Sequence, residues 1–202
     1  MVAKENSEPL CKDSAAQIVE TIWPTYMNGK VESSGGKGVL PLRTFIQETL
    51  RRSRTSYSTL QVALYYLIIV RPHIPKGDFS EMLLDMSQET AQQMRALQCG
   101  RRMFLAALIL ASKYLQDRNY SARAWSKISG LQTTEININE MAFLNAVNWR
   151  LHISESIFQK WTDLVVKYTS GPGSGSGSGS DEARKTEWRD RKSTRLNSSH
   201  VD

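Results

Sequence analysis

The stretch MFLAALILA, residues 103–111, puts nine apolar side chains in a row. A helix that is hydrophobic all round has no face left for water, so its neighbours must enclose it. The run is about half as long as a bilayer span requires, so those neighbours have to be protein. A chain of 202 residues, 40% hydrophobic and 23% charged, has the material to build such an enclosure as one globular domain. The run breaks at Ser112-Lys113 and passes within a few residues into the polar QDRNYS.

Helical spacing continues on both sides of this segment. SAAQIVETIWPTYM places Ile18, Ile22 and Trp23 at helical intervals, with Ser14 as its N-cap and Pro24 as its limit. Residues 28–38 form a loop. Its Gly-Gly-Lys-Gly is no phosphate cradle, because no strand precedes it and the full P-loop spacing is not met. LPLRTFIQETLRRSR starts at Pro41 and lines up Phe45, Ile46 and Leu50. STLQVALYYLIIVRP is apolar almost all round and stops before Pro72. The polar stretch 76–97 is predicted to be helical around 81–86 and 90–97. GRRMFLAALILASKYLQD supplies the central helix, over 101–116, and ARAWSKIS a short one that ends at Gly130. TTEININEMAFLNAVNW follows, with Ile136, Met141, Leu144 and Val147 as its apolar positions. SESIFQKWTDLVVKY begins at Ser154 as N-cap, with Glu155 in its positive first turn. No alternating strand pattern occurs, so the predicted class is all-α.

Composition changes abruptly after this. GPGSGSGSGS, residues 171–180, alternates Gly and Ser too regularly for a natural linker and reads as an engineered flexible coil. The charged segment 181–202 has almost no sizeable apolar side chains beyond Trp188 and Leu196, so it cannot build a core of its own. Two readings fit it: a tethered peptide ligand anchored by Trp188 or Leu196, whose effective concentration the linker raises, or a scar without fold logic.

Catalysis has little support. His73, His152 and His200 have no Cys, Ser or Asp placed to suggest a triad, and neither Cys11 nor Cys99 belongs to a metal-ligand cluster. The expectation is no enzyme activity, no cofactor and no metal. Two isolated cysteines and a polar N-terminus without a secretory apolar stretch point to a reduced, intracellular setting, cytoplasm or nucleus, and to no membrane partner. The net charge of +6 is spread out, with Arg51, Arg52, Arg54, Arg101 and Arg102 at its densest points. Nucleic-acid binding would need these to converge.

Two charges interrupt apolar faces. Lys113 shares a helix face with Ile109 and Leu110, and Glu140 lies between Ile136 and Leu144 at spacing four. A charge buried in such a stripe without a partner costs several kcal/mol. The two are therefore either an internal ion pair or the charged centre of an exposed apolar surface that meets a partner. Both readings are compatible with the sequence.

FLAALILASKYLQDRNYSARAWSKISGL and EININEMAFLNAVNWRLHIS together resemble the second half of a cyclin box, and the resemblance is greatest to fungal PCL-type cyclins. It runs from about 39 to 169 and is dense from 101 to 153, through Ala111-Ser112-Lys113-Tyr114, Tyr120-Ser121, Trp125, Gly130-Leu131, Glu140, Phe143-Leu144 and Trp149-Arg150-Leu151. The resemblance implies a single five-helix cyclin box whose third helix is the hub, flanked by further helices. On that basis the chain divides into an N-terminal helix and loop (1–38), the box (39–169), the linker (170–180) and the tail (181–202). It also implies that Lys113 and Glu140 contact the mobile C-helix of a cyclin-dependent protein kinase, which the chain would activate and help direct to substrates. The first box helix, FIQETLRRSR, lacks the motif by which cell-cycle cyclins dock Arg-x-Leu substrates, so that property is not carried over. The alternative function is a cyclin-fold adaptor that holds a peptide, such as the tail, without activating a kinase.

Overall fold

The apolar run lies in a helix, α5 (Gly100–Leu115), in which every residue from Met103 to Ser112 is buried. The computed structural model describes residues 7–24, 40–77 and 86–169, with side chains from residue 14 to residue 167 within them. Around α5 stand α1 (Ser7–Ile22), α2 (Leu42–Ser53), α3 (Tyr57–Val70), α4 (Gln88–Leu97), α6 (Ala122–Ser129), α7 (Thr133–Ala146) and α8 (Glu155–Thr169). The described residues contain no strand. They all fall in one unit, which closes at Thr169.

The five box helices expected from the sequence are α2, α3, α5, α6 and α7, and α4 is interposed between the second and third. α3 packs most extensively on α5. The end of α5 lies beside the start of α3, where Gln116 Nε2 donates to Thr59 Oγ1 at 3.3 Å. α7 packs on α4, α5 and α6, and α6 reaches α2. Local signals set several boundaries. Ser56, Ser87 and Ser121 each accept a backbone N–H at the start of α3, α4 and α6. Gly130 ends α6 at φ 79°, a left-handed conformation that glycine adopts without steric cost.

α1 is part of the core. Ala15, Ala16, Val19, Ile22 and Trp23 are buried against α2, α3 and α5. The Trp23 indole Nε1 donates to the Leu97 carbonyl at 2.8 Å. This close approach needs Gly100: a Cβ there would lie 2.9 Å from Val19 Cγ1 and 3.1 Å from Trp23 Cβ. The helix begins at Ser7, one helical stretch earlier than the expected cap at Ser14.

One further expectation needs correction. Met141, one of the apolar positions expected along α7, is 38% exposed, whereas Asn139 and Phe143 are buried. α7 contacts three helices at once, so its buried arc is wider than one apolar stripe. Ser154 occupies the cap position of α8 as expected, its carbonyl accepting from Phe158 N, and its hydroxyl pairs with that of Ser156 at 3.3 Å. Residues 81–85 of the helical piece expected at 81–86, the loop 28–38, the linker and the tail with Trp188 and Leu196 lie outside the described residues.

Candidate functional site: a lysine–glutamate pair at the rim of the hub

α5 ends where its apolar enclosure ends. Ser112 is the last buried residue, and its hydroxyl is satisfied by the Leu108 carbonyl at 2.9 Å. Lys113 is next, in the last turn, where the helix dipole favours a cation. Its side chain is half exposed. Glu140 comes from α7, fixed between Ile136 and Leu144, both buried. Lys113 Nζ donates to Glu140 Oε1 at 2.6 Å, with the glutamate side chain only 11% exposed and the lysine 50%.

Of the two sequence readings, the geometry shows the internal ion pair. The pair is internal, since each group finds the other, and it is also open, since the ammonium projects into solvent from a nearly buried carboxylate. A lysine so placed keeps donor capacity free for a second acceptor while the carboxylate anchors its direction. α5 and α7 are joined a second time by Arg102 Nε and Glu135 Oε1 at 2.8 Å. The two bridges join α7 to both ends of α5.

Exposed aromatics lie near this end of the hub, and sequence reasoning did not select them. Tyr114, beside Lys113, is 48% exposed and shares a hydrogen bond with His152 Nδ1 at 3.1 Å. Trp149 is 61% exposed, at φ 61°, and its backbone N–H donates to the Leu144 carbonyl one turn beyond Glu140. Both residues occur in the segments that carried the resemblance, but their exposure depends on the tertiary arrangement. Beneath them Tyr66 is wholly buried and its hydroxyl donates to the Leu151 carbonyl at 3.0 Å. Burial, and secondarily the nearby Tyr114, pushes the Tyr66 phenol well above its ordinary value. Trp125 is buried in the core.

The arginines singled out in the sequence do not gather at one place. Arg51 and Arg52 both engage Glu48, at 2.8 and 3.2 Å, and the Arg51 guanidinium holds the Glu48 carboxyl below the usual carboxylate value. Arg101 lies instead over the Phe45 ring, 5.9 Å from its centre, and Arg102 is bound to Glu135. Among the described residues no three His, Cys, Asp or Glu side chains are grouped to hold a metal, and no helix is long and apolar enough to cross a membrane.

A helical box enclosing a hub that is buried on all sides is consistent with a cyclin-box fold. Residues 53–151 match the family model described as Cyclin, and the chain belongs to the cyclin family. It is 35% identical over 153 residues to the G1/S-specific cyclin pas1 of Schizosaccharomyces pombe, covering 76% of this chain and 34% of that protein. It is 31% identical over 134 residues to PHO85 cyclin-5 of Saccharomyces cerevisiae, covering 66% of this chain and 52% of that protein. Over a shorter stretch of 60 residues it is 33% identical to Cyclin-U2-1 of Arabidopsis thaliana. The chain spans about a third and about half of the two fungal relatives.

Proposed function

We propose that this chain is a regulatory subunit that binds and activates a cyclin-dependent protein kinase through the rim of α5 and α7. The observation that carries this reading is the Lys113–Glu140 pair, preorganised at 2.6 Å with its ammonium half in water. An intramolecular bond alone does not explain why one partner stays exposed at the end of the most buried helix. A partner's backbone carbonyl would complete the coordination of Lys113, and its N–H groups would find the remaining Glu140 oxygen. The subunit itself performs no chemistry. By binding the active position of the kinase's C-helix more tightly than the inactive one, it would shift the kinase population toward an assembled Lys–Glu ion pair and metal-binding Asp.

Its relative in Saccharomyces cerevisiae carries the name of a PHO85 cyclin, which makes a fungal kinase of that kind the partner to test. A kinase partner dependent on ATP also places the work inside the cell. The direct test is reconstitution of the full chain with such a kinase, measuring complex formation and phosphorylation of a generic substrate. Activation by wild type and loss of binding in Lys113→Ala and Glu140→Ala would support the proposal. Equal binding by wild type and both variants would overturn it.

A further inference from the structure

Beside the end of α3, a small cleft of about 230 Å³ opens between that helix and the chain leaving α7. Tyr65, Ile69 and His73 line one wall at intervals of four residues, along α3 and the 3-10 turn Arg71–His73 that extends it. Val147, Arg150 and His152 line the other. This second wall contains two left-handed residues in succession, Asn148 at φ 51° and Trp149 at φ 61°. Side chains are crowded in that region, and such backbone persists only where its surroundings over-determine it. Here it folds the chain back on itself. The Arg150 N–H donates to the Val147 carbonyl at 3.1 Å, and both residues reach the same cleft.

Val147 is buried and Tyr65 and Ile69 are half-buried, so the floor is apolar, while His73, Arg150 and His152 stand exposed around it. No carboxylate lines the cleft. Among the described residues the Arg150 guanidinium and the His73 ring have no hydrogen-bond or ion-pair partner. His152 Nδ1 shares its hydrogen bond with the Tyr114 hydroxyl at 3.1 Å. With the phenol as donor, a neutral imidazole carries its proton on Nε2, which leaves His152 a donor of its own.

We propose that this cleft binds a phosphorylated threonine or serine side chain of a partner protein. A phosphoryl group carries nearly two negative charges and three strong acceptor oxygens, against one charge and two oxygens on a carboxylate. Arg150 matches two of the oxygens with its planar fork, and the two imidazoles supply the remaining donors. The Ile69–Val147 floor covers the short carbon stem, which free phosphate lacks. The volume falls below the roughly 300–1,000 Å³ of sites that enclose whole small molecules, and suits a single side chain.

Two other occupants fit less well. A metal cation needs thiolate or carboxylate ligands beside the two histidines, whereas here they share the cleft with a guanidinium. A nucleic-acid strand needs a basic track and open rings, whereas this cleft holds one guanidinium, and Trp161 meets the Tyr65 ring edge-on at 5.8 Å. Tyr114 follows Lys113 in the chain, so the cleft adjoins the lysine–glutamate rim but uses neither of its charges. Binding is measured on the full chain without any kinase, which keeps its failure distinct from failure of the kinase reading.

The experiment is fluorescence anisotropy with a labelled peptide in which one phosphothreonine is flanked by Gly, Ala and Ser. The unphosphorylated peptide, a glutamate version, inorganic phosphate as competitor and a labelled oligouridine complete the set. The phosphothreonine peptide should bind at least about tenfold tighter than the unphosphorylated and glutamate versions. Arg150→Gln should weaken it by about tenfold or more, and His73→Gln and His152→Gln by about threefold or more each. Arg95→Gln, an equal loss of charge at the end of α4, should change it by less than about twofold. All four positions are exposed, so the variants should fold, and circular dichroism melts check that they do. The proposal is overturned if the glutamate peptide binds equally well or if Arg150→Gln binds like wild type. It is overturned as well if inorganic phosphate binds as tightly as the phosphopeptide, or if the oligouridine binds more tightly.

Discussion

Replacing Lys113 by alanine removes the only hydrogen-bond partner that Glu140 has among the described residues, and Glu140 is 8% exposed. A buried acceptor left unsatisfied costs about 1–3 kcal/mol, and more when it is charged. The value should fall short of the ~3–5 kcal/mol typical of breaking a fully buried pair, because the half-exposed lysine marks water close by that can move in. The reverse change is cheaper. Glu140→Ala frees an ammonium that already reaches solvent, so the loss should stay within about 1 kcal/mol. In the double variant no charge is stranded, so its stability should match Glu140→Ala and exceed that of Lys113→Ala, a coupling of about 1–2 kcal/mol. For a domain of this size ~2 kcal/mol corresponds to a melting temperature lower by about 4–8 °C. Thermal and urea melts of the two single variants and the double one, followed by circular dichroism, measure the asymmetry. Kinase affinity should meanwhile fall by about 2–5 kcal/mol in both single variants, since each removes a charged group from the proposed interface. A Glu140→Ala variant as unstable as Lys113→Ala, or a double variant less stable than either, would refute this account of the pair.

Leu108 is fully buried at the middle of the hub, so Leu108→Asp should abolish the cooperative melt: burying an unpaired carboxylate there consumes most of a ~5–15 kcal/mol margin. Gly100→Ala pushes a methyl to 2.9 Å from Val19 Cγ1 and should cost about 1–3 kcal/mol in a urea melt by displacing α1; an unchanged midpoint would mean that α1 yields freely. Tyr66 makes stability depend on alkaline pH. Its folded-state phenol titrates above the unfolded value of about 10, so its contribution is fully present below pH ~10 and is lost as pH rises toward the folded value. Tyr66→Phe should remove that part of the alkaline loss, at a cost near neutral pH of about 1 kcal/mol for the missing bond to Leu151, as read from urea midpoints at pH 8 and pH 11.

The hub was legible from sequence because nine apolar residues in a row leave a helix one environment, whatever surrounds it. The limits of α6 were equally legible: Gly130 takes the left-handed conformation that stops the helix, and this depends on a single residue's backbone. Phe45, Ile46 and Leu50 fell on one stripe for the same local reason, the helical period itself. Lys113 and Glu140 stood out because a charge within an apolar face is visible wherever the face ends up pointing. What the sequence could not decide was whether the two charges meet each other or face outward, since that depends on how α5 and α7 cross, 27 residues apart in the chain. Packing alone made the carboxylate nearly buried and left the ammonium half in water. Packing also turned Met141 outward and Asn139 and Phe143 inward, because three neighbours shared the burial of α7 and no single stripe could record them all. A cleft lined by arginines at the start of α5 is a still more distant product. Leu40, Arg95, Arg101 and Leu131 form no pattern along the chain, and only the meeting of four helix ends brings their charge and apolar surface together.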